Sequence, residues 1–171
     1  MTAVRIDLTL RQAPSLRVDL RGLLPATLAD LTVAQIEQLP FGHGNHSVPL
    51  AEWFSVQRHD TDGDQPALRL VGDCSRFDRI GTGLAAGSLV VEGPAGDYVG
   101  AGMTGGELLV HGDAGLLAAC EMAGGRLQVQ GSVGDWAASA LPGNLDGMRG
   151  GSFIVGGDAG QRFGDRMRRG T

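Results

Sequence analysis

A chain of 171 residues, 42% hydrophobic but only 5% aromatic, has enough apolar material for one domain whose core is built from Leu, Val, Ala and Met rather than from rings. Its net charge of −5 argues against general nucleic-acid binding, and no apolar run approaches the ~18 residues of a membrane span. The start lacks the apolar core of a signal peptide, so a cytoplasmic location is expected.

The first residues predict two short strands. Val4–Leu10 and Leu16–Leu20 both alternate, with Arg11–Pro14 as the turn of a hairpin between them. A helix over 33–39 follows, because Thr32 and Gln35 have the spacing of a capping box and Pro40 stops it. Leu31 and Ile36 bracket that cap as a hydrophobic staple. Phe41–Ser47 reads as a loop, Trp53–Val56 as a strand, and Gln57–Pro66 as a polar loop. These elements form a small N-terminal α+β cap over 1–66.

From residue 67 the chain repeats itself. Gly87–Gly93, Gly106–Gly112, Gly125–Gly131 and Gly151–Gly157 each frame a five-residue apolar-rich segment. The leading glycines, counted on to Gly170, lie 19, 19, 26 and 19 residues apart. Met103, Met122, Met148 and Met167 each stand three residues before the next leading glycine. Leu68–Gly72, with Leu84 in the methionine's place, is an earlier and slightly longer copy. A fixed period near twenty means one structural unit stacked on itself.

Alternation within each copy tells the faces apart. Leu68/Leu70, Leu89/Val91, Leu108/Val110, Leu127/Val129 and Phe153/Val155 are all apolar and face inward. The intervening positions include Arg69, Glu92, Glu107, His111, Arg126, Gln128 and Gln130 and face outward. Val90, Leu109 and Ile154 share that outer face, where a partner surface would cover them. Ala95, Ala114, Val133 and Ala159 line up under the corners. Left-handed β-helices use a hexapeptide unit and a coil of about 18 residues, and no six-residue repeat is visible here. The reading is therefore mainly β: a right-handed parallel β-helix over 67–171, with GXGXG-type repeats of 19 residues per coil. The chain stops at Thr171, at the start of a further coil, so either a truncation or a covering partner subunit is expected there.

Most motifs that suggest chemistry do not hold up. Gly100-Ala-Gly-Met-Thr-Gly105 fits GxGxxG, but a strand follows it and no helix start is available for a pyrophosphate. Asp60-Thr-Asp-Gly-Asp64 lacks the glycine and glutamate positions of a calcium loop. His43 and His46 have no third metal ligand nearby. Cys74 and Cys120 fall at different places in their repeats and read as buried thiols. No catalytic residue and no metal site is assigned.

Two departures from the repeat carry more. One repeat is enlarged by seven residues around Ala140–Asp146, and a loop on a rigid repeat is where such proteins place contacts. Residues 149–171 hold five Arg against two acids. Arg149 and Arg168 both follow a methionine, so stacking brings like charges together unless an anion or an acidic side chain lies between. With Arg166 and Arg169 they form the candidate site for an acidic ligand or partner, and Arg162 lies in the same coil. Pairing with Asp146, Asp158 and Asp165 is the alternative.

Gly147-Met-Arg-Gly-Gly151 and Gly164-Asp-Arg-Met-Arg-Arg-Gly170 resemble the C subunit of formylmethanofuran dehydrogenase, and so do Leu28–Leu39, Gly44-Asn45 and Leu50–Val56 in the N-terminal half. The glycine-framed repeats alone are also shared by the C-terminal β-helix of glutamate synthase. The resemblance implies a non-catalytic scaffold subunit in one-carbon metabolism. Its expected partners are an amidohydrolase-like subunit, a formyltransferase subunit and a formate dehydrogenase-like subunit. The wholly arginine basic composition favours the bacterial formyltransferase/hydrolase version. No cofactor is expected on this chain itself, while a methanofuran-type carrier with a glutamate-rich tail belongs to the complex. An enzyme domain acting on an acidic substrate and a glutamate-synthase-like structural domain are the alternative readings.

Overall fold

The computed structural model describes residues 2–171, and the chain is mainly β. Seven strands form the main sheet, in the spatial order 150–155, 123–129, 104–110, 88–92, 67–71, 2–10 and 54–62. β1 (Thr2–Leu10) runs antiparallel to β5 (Phe54–Asp62) and parallel to β6 (Ala67–Val71). It does not form the expected hairpin with residues 16–20. There the short β2 (Val18–Asp19) pairs in parallel with β7 (Phe77–Asp78). Burial explains the difference. Ile6 and Leu8 stand beside Leu68 and Leu70 and are 1% and 0% exposed, whereas an isolated two-strand hairpin could not bury that face.

Between them lie two short helices. α1 (Pro25–Ala29) was not apparent from the pattern; proline at its first turn and a buried Leu28 explain it. α2 (Val33–Glu37) has the expected capping box. The Gln35 N–H donates to Thr32 Oγ1 at 3.2 Å, and Thr32 N–H donates to Gln35 Oε1 at 2.9 Å. Ile36 is fully buried and Leu31 packs against the same core. The segment expected as a loop is instead a tight hairpin of β3 (Pro40–His43) and β4 (His46–Pro49), turned by Gly44 at φ +64° and Asn45. Residues 57–62 are strand rather than loop. They are polar because β5 is an edge of the sheet and its outer face meets solvent.

The repeats follow in strict succession: β8 (Ser88–Glu92), β9 (Thr104–Val110), β10 (Ala123–Val129) and β11 (Gly150–Val155). Each lies parallel to the one before. The register sets Leu68 beside Leu89, Leu89 beside Leu108, Leu108 beside Leu127, and Leu127 beside Phe153. These five are at most 8% exposed and form one buried column. Leu70, Val91, Val110 and Val129 form a second, each 0% exposed.

The segments between strands are matched as well. Ala123 N–H donates to Met103 O and Arg149 N–H to Met122 O, so Leu84, Met103, Met122 and Met148 build an internal ladder. Cys74 bridges to Ala95, Ala114 to Val133, and Val133 to Ala159, as parallel pairs under the corners. Among the described residues no helix is long and apolar enough to cross a membrane.

Candidate docking site at the enlarged repeat

The backbone enters the left-handed region at set places in each repeat. The first place holds Arg79, Tyr98, Leu117, Trp136 and Arg162, at φ 61, 60, 58, 64 and 55°. A non-glycine residue there costs about 1–2 kcal/mol, which the corner recovers in hydrogen bonds. Arg79 N–H donates to Asp97 O, Tyr98 N–H to Leu116 O, Leu117 N–H to Asp135 O and Trp136 N–H to Gln161 O. Carboxylates tie the same corners: Asp78 accepts from Asp97 N–H at 2.8 Å, Asp97 from Leu116 N–H at 2.9 Å, and Asp135 from Gln161 N–H at 2.7 Å. The resulting column of large side chains stacks outward, with the Arg79 guanidinium 4.1 Å from the Tyr98 ring centre and that of Arg162 4.9 Å from the Trp136 ring.

A later left-handed place holds Gly83 and Gly102, then Glu121 and Arg166. The change from glycine to charged residue coincides with the enlarged repeat, because Glu121 lies one repeat before the 140–146 loop and Arg166 one after. Both hold it. The Glu121 carboxylate accepts from Leu141 N–H at 3.2 Å and from Asn144 Nδ2 at 3.0 and 3.1 Å. Arg166 Nη1 donates to Asn144 O at 2.8 Å. Arg168 Nε donates to Asp146 Oδ1 at 2.6 Å. Leu145, between these anchored neighbours, is 73% exposed. Beneath the loop lies an open groove of ≈ 540 Å³ with Leu116, Leu117, Trp136, Leu141 and Pro142 along it and Arg162, Asp165 and Arg166 at its side.

The four arginines singled out in the sequence therefore divide. Arg166 lines the groove and lies 3.9 Å from Asp165. Arg168 is taken by Asp146, one of the acids named as the alternative partner. Arg149 pairs along the backbone with Arg169, not with Arg168. A one-residue offset at this corner causes this, and Ala123, which like Arg149 follows a methionine, shows it too by pairing with Gly150. Arg149 and Arg169 are exposed and make no ion pair among the described residues. Trp136, Leu116 and Leu145 were not singled out from sequence. Trp136 shared its repeat position with Arg79, Tyr98 and Arg162, and that shared position was the available signal.

His43 Nε2 accepts Leu16 N–H and lies 3.2 Å from Ser15 Oγ. His43 and His46 face each other across a hairpin turn, and among the described residues no group of three His, Cys, Asp or Glu is arranged for a metal ion. Asp60 and Asp62 belong to β5. Cys74 and Cys120 are buried, which pushes each thiol up to about 12.

The molecule is thus a mainly β repeat protein, carrying a clamped loop and an arginine-flanked groove. No family model matches the chain. It is 36% identical over 80 residues to the C subunit of the formyltransferase/hydrolase complex Fhc of Methylorubrum extorquens, spanning 47% of this chain and 29% of that one. It is 35% identical over 87 residues to the C subunit of molybdenum-containing formylmethanofuran dehydrogenase 1 of Methanosarcina barkeri, spanning 50% of this chain and 29% of that one. A crystal structure of the M. extorquens complex FhcABCD with methylofuran contains a chain that matches with a TM-score of 0.88 and 35% identity, over 96% of this chain and 60% of that chain. The chain is a homologue of the C subunit of formylmethanofuran dehydrogenase.

Proposed function

We propose that this chain is a non-catalytic scaffold in a formyltransferase/hydrolase complex of one-carbon metabolism, docking transferase and hydrolase subunits in the cytoplasm. The observation that carries this reading is the match over 96% of the chain, at 35% identity, to a chain from the solved FhcABCD complex. The scaffold is read as a right-handed parallel β-helix over 67–171 with 1–66 as its cap. The in-register parallel ladder supports it, as does the right hand of about 98% of crossovers between parallel strands. An outward sheet face of polar residues interrupted by Val90, Leu109 and Ile154 suits a partner surface rather than a substrate.

At the level of the complex, the arginines are read as meeting an acidic partner or the glutamate-rich tail of a methanofuran-type carrier. Arg149 and Arg169 fit that role best, because their guanidinium groups have no carboxylate of their own among the described residues. Titration of the full chain with poly-γ-glutamate by calorimetry tests this. Binding should weaken as salt rises and drop at least fivefold in the double variant Arg149→Ala/Arg169→Ala; equal binding by that variant rejects the assignment. Turnover of a formyl-carrier by the isolated chain would overturn the scaffold reading in favour of an enzyme.

A further inference from the structure

The groove under the 140–146 loop has chemistry that a polyglutamate tail does not use. Its length is apolar, with Leu116 45% and Trp136 38% exposed. Such side chains in a repeat protein meet water at a cost unless something covers them. Trp and Arg are also the residues that most often anchor protein contacts. Here both are already held in place. Arg162 lies over the Trp136 ring with no carboxylate partner among the described residues. Arg166 donates from Nη1 to Asn144 O, and its Nε lies 3.9 Å from Asp165 at the groove's side.

The loop is equally fixed. Leu141, Asn144 and Asp146 are each tied to Glu121, Arg166 or Arg168, so Leu145 is presented outward by pinned neighbours. Order present before binding lowers the entropy lost on binding. The groove volume of ≈ 540 Å³ suits a few side chains, and its charged lining is Arg162 and Arg166 against Asp165, a net positive charge.

We propose that this groove receives a short segment of a partner polypeptide in which a large apolar side chain is flanked by acidic residues. The apolar side chain lies along Leu116, Trp136 and Pro142, and carboxylates meet Arg162 and Arg166. Charge complementarity sets the acidic flanks, and the apolar floor sets the anchor. The inference rests on the scaffold reading and adds a place and a chemistry to it.

Trp136 supplies a probe within the full chain, since the other tryptophan, Trp53, is 4% exposed. Three ligands are compared: a capped nonapeptide alternating Glu and Leu, the same peptide with Lys for Glu, and poly-γ-glutamate. The Glu/Leu peptide should shift the tryptophan emission to the blue, and Arg162→Gln should weaken it at least tenfold while circular dichroism stays unchanged. Trp136→Phe should remove the emission signal but keep calorimetric binding. Arg149→Ala/Arg169→Ala should leave peptide binding unchanged, which separates this proposal from the carrier-tail reading. Equal binding of the Lys/Leu peptide would overturn the charge argument. Displacement of the Glu/Leu peptide by poly-γ-glutamate at equal affinity would give the groove to the carrier tail instead. Absence of peptide binding up to about 1 mM, a standard free energy near −4 kcal/mol, would overturn the proposal even where the complex still assembles.

Discussion

Gly81 and Gly102 both occupy left-handed backbone, at φ +73° and +63°, yet their surroundings differ. A Cβ at Gly81 would overlap Leu108 Cδ1 in the buried column; one at Gly102 meets nothing within 4 Å. Gly102→Ala should therefore cost only the conformational term of about 1–2 kcal/mol. Gly81→Ala adds overpacking of about 1–3 kcal/mol, for about 2–5 kcal/mol in all. Leu108→Ala alone should cost about 3–5 kcal/mol, as for other fully buried leucines. The double variant Gly81→Ala/Leu108→Ala should be less destabilised than the sum by about 1–3 kcal/mol, because removing the isobutyl group removes the overlap. Urea unfolding followed by far-UV circular dichroism measures all four. Equal losses for the two glycine variants, together with an additive double variant, would refute the packing of this corner onto the column and with it the stacking of successive repeats.

Three further outcomes follow from the site and the buried groups. Glu121→Gln weakens the acceptor for Leu141 N–H and the Asn144 amide, so hydrogen exchange across 141–145 should speed up severalfold while the amides of β9 and β10 stay protected; unchanged exchange in the loop contradicts the clamp. Cys74 and Cys120, each pushed up to about 12 by burial, should not react with a thiol reagent at pH 8 in the native chain and should both react in denaturant; native reactivity of either contradicts its placement. Asp73 is held below the usual carboxylate range, first by the Ser75 hydroxyl and then by the Ser75 N–H. A lowered folded pKa stabilises above the unfolded value of about 3.9 and is lost as pH falls through the folded one. Ser75→Ala should thus lower the melting temperature at pH 7, and its deficit should shrink from pH 4 downward; a deficit independent of pH contradicts the assignment.

Much of the repeat half could be read directly. Side-chain alternation and a fixed glycine spacing report on the same quantity, the register between neighbouring copies, so Leu89, Leu108, Leu127 and Phe153 could be aligned before any coordinates. The N-terminal half could not. Alternation in Val4–Leu10 marks a strand with one buried face, but it does not say which strand covers it. The true partners are separated from β1 by two helices and a hairpin. The polar character of 57–62 hid a strand because an edge strand needs little apolar surface. At the site, insertion and charge drew attention to Ala140–Asp146 and to the arginines, and the structure does bring Arg166 and Arg168 to that loop. Arg149 was expected beside Arg168, and a one-residue offset at the corner, which no spacing rule contains, put it beside Arg169. Trp136 escaped notice because a left-handed tryptophan has no signature in composition.

The match to a subunit from a solved assembly makes association the direct test of the scaffold reading. Co-expression of this chain with transferase and hydrolase subunits of a formyltransferase/hydrolase complex, followed by native mass spectrometry, reads it in one spectrum. A discrete species whose mass contains this chain in fixed ratio with both subunits is the predicted result. The chain recorded only on its own, beside a complete assembly of the others, would contradict it.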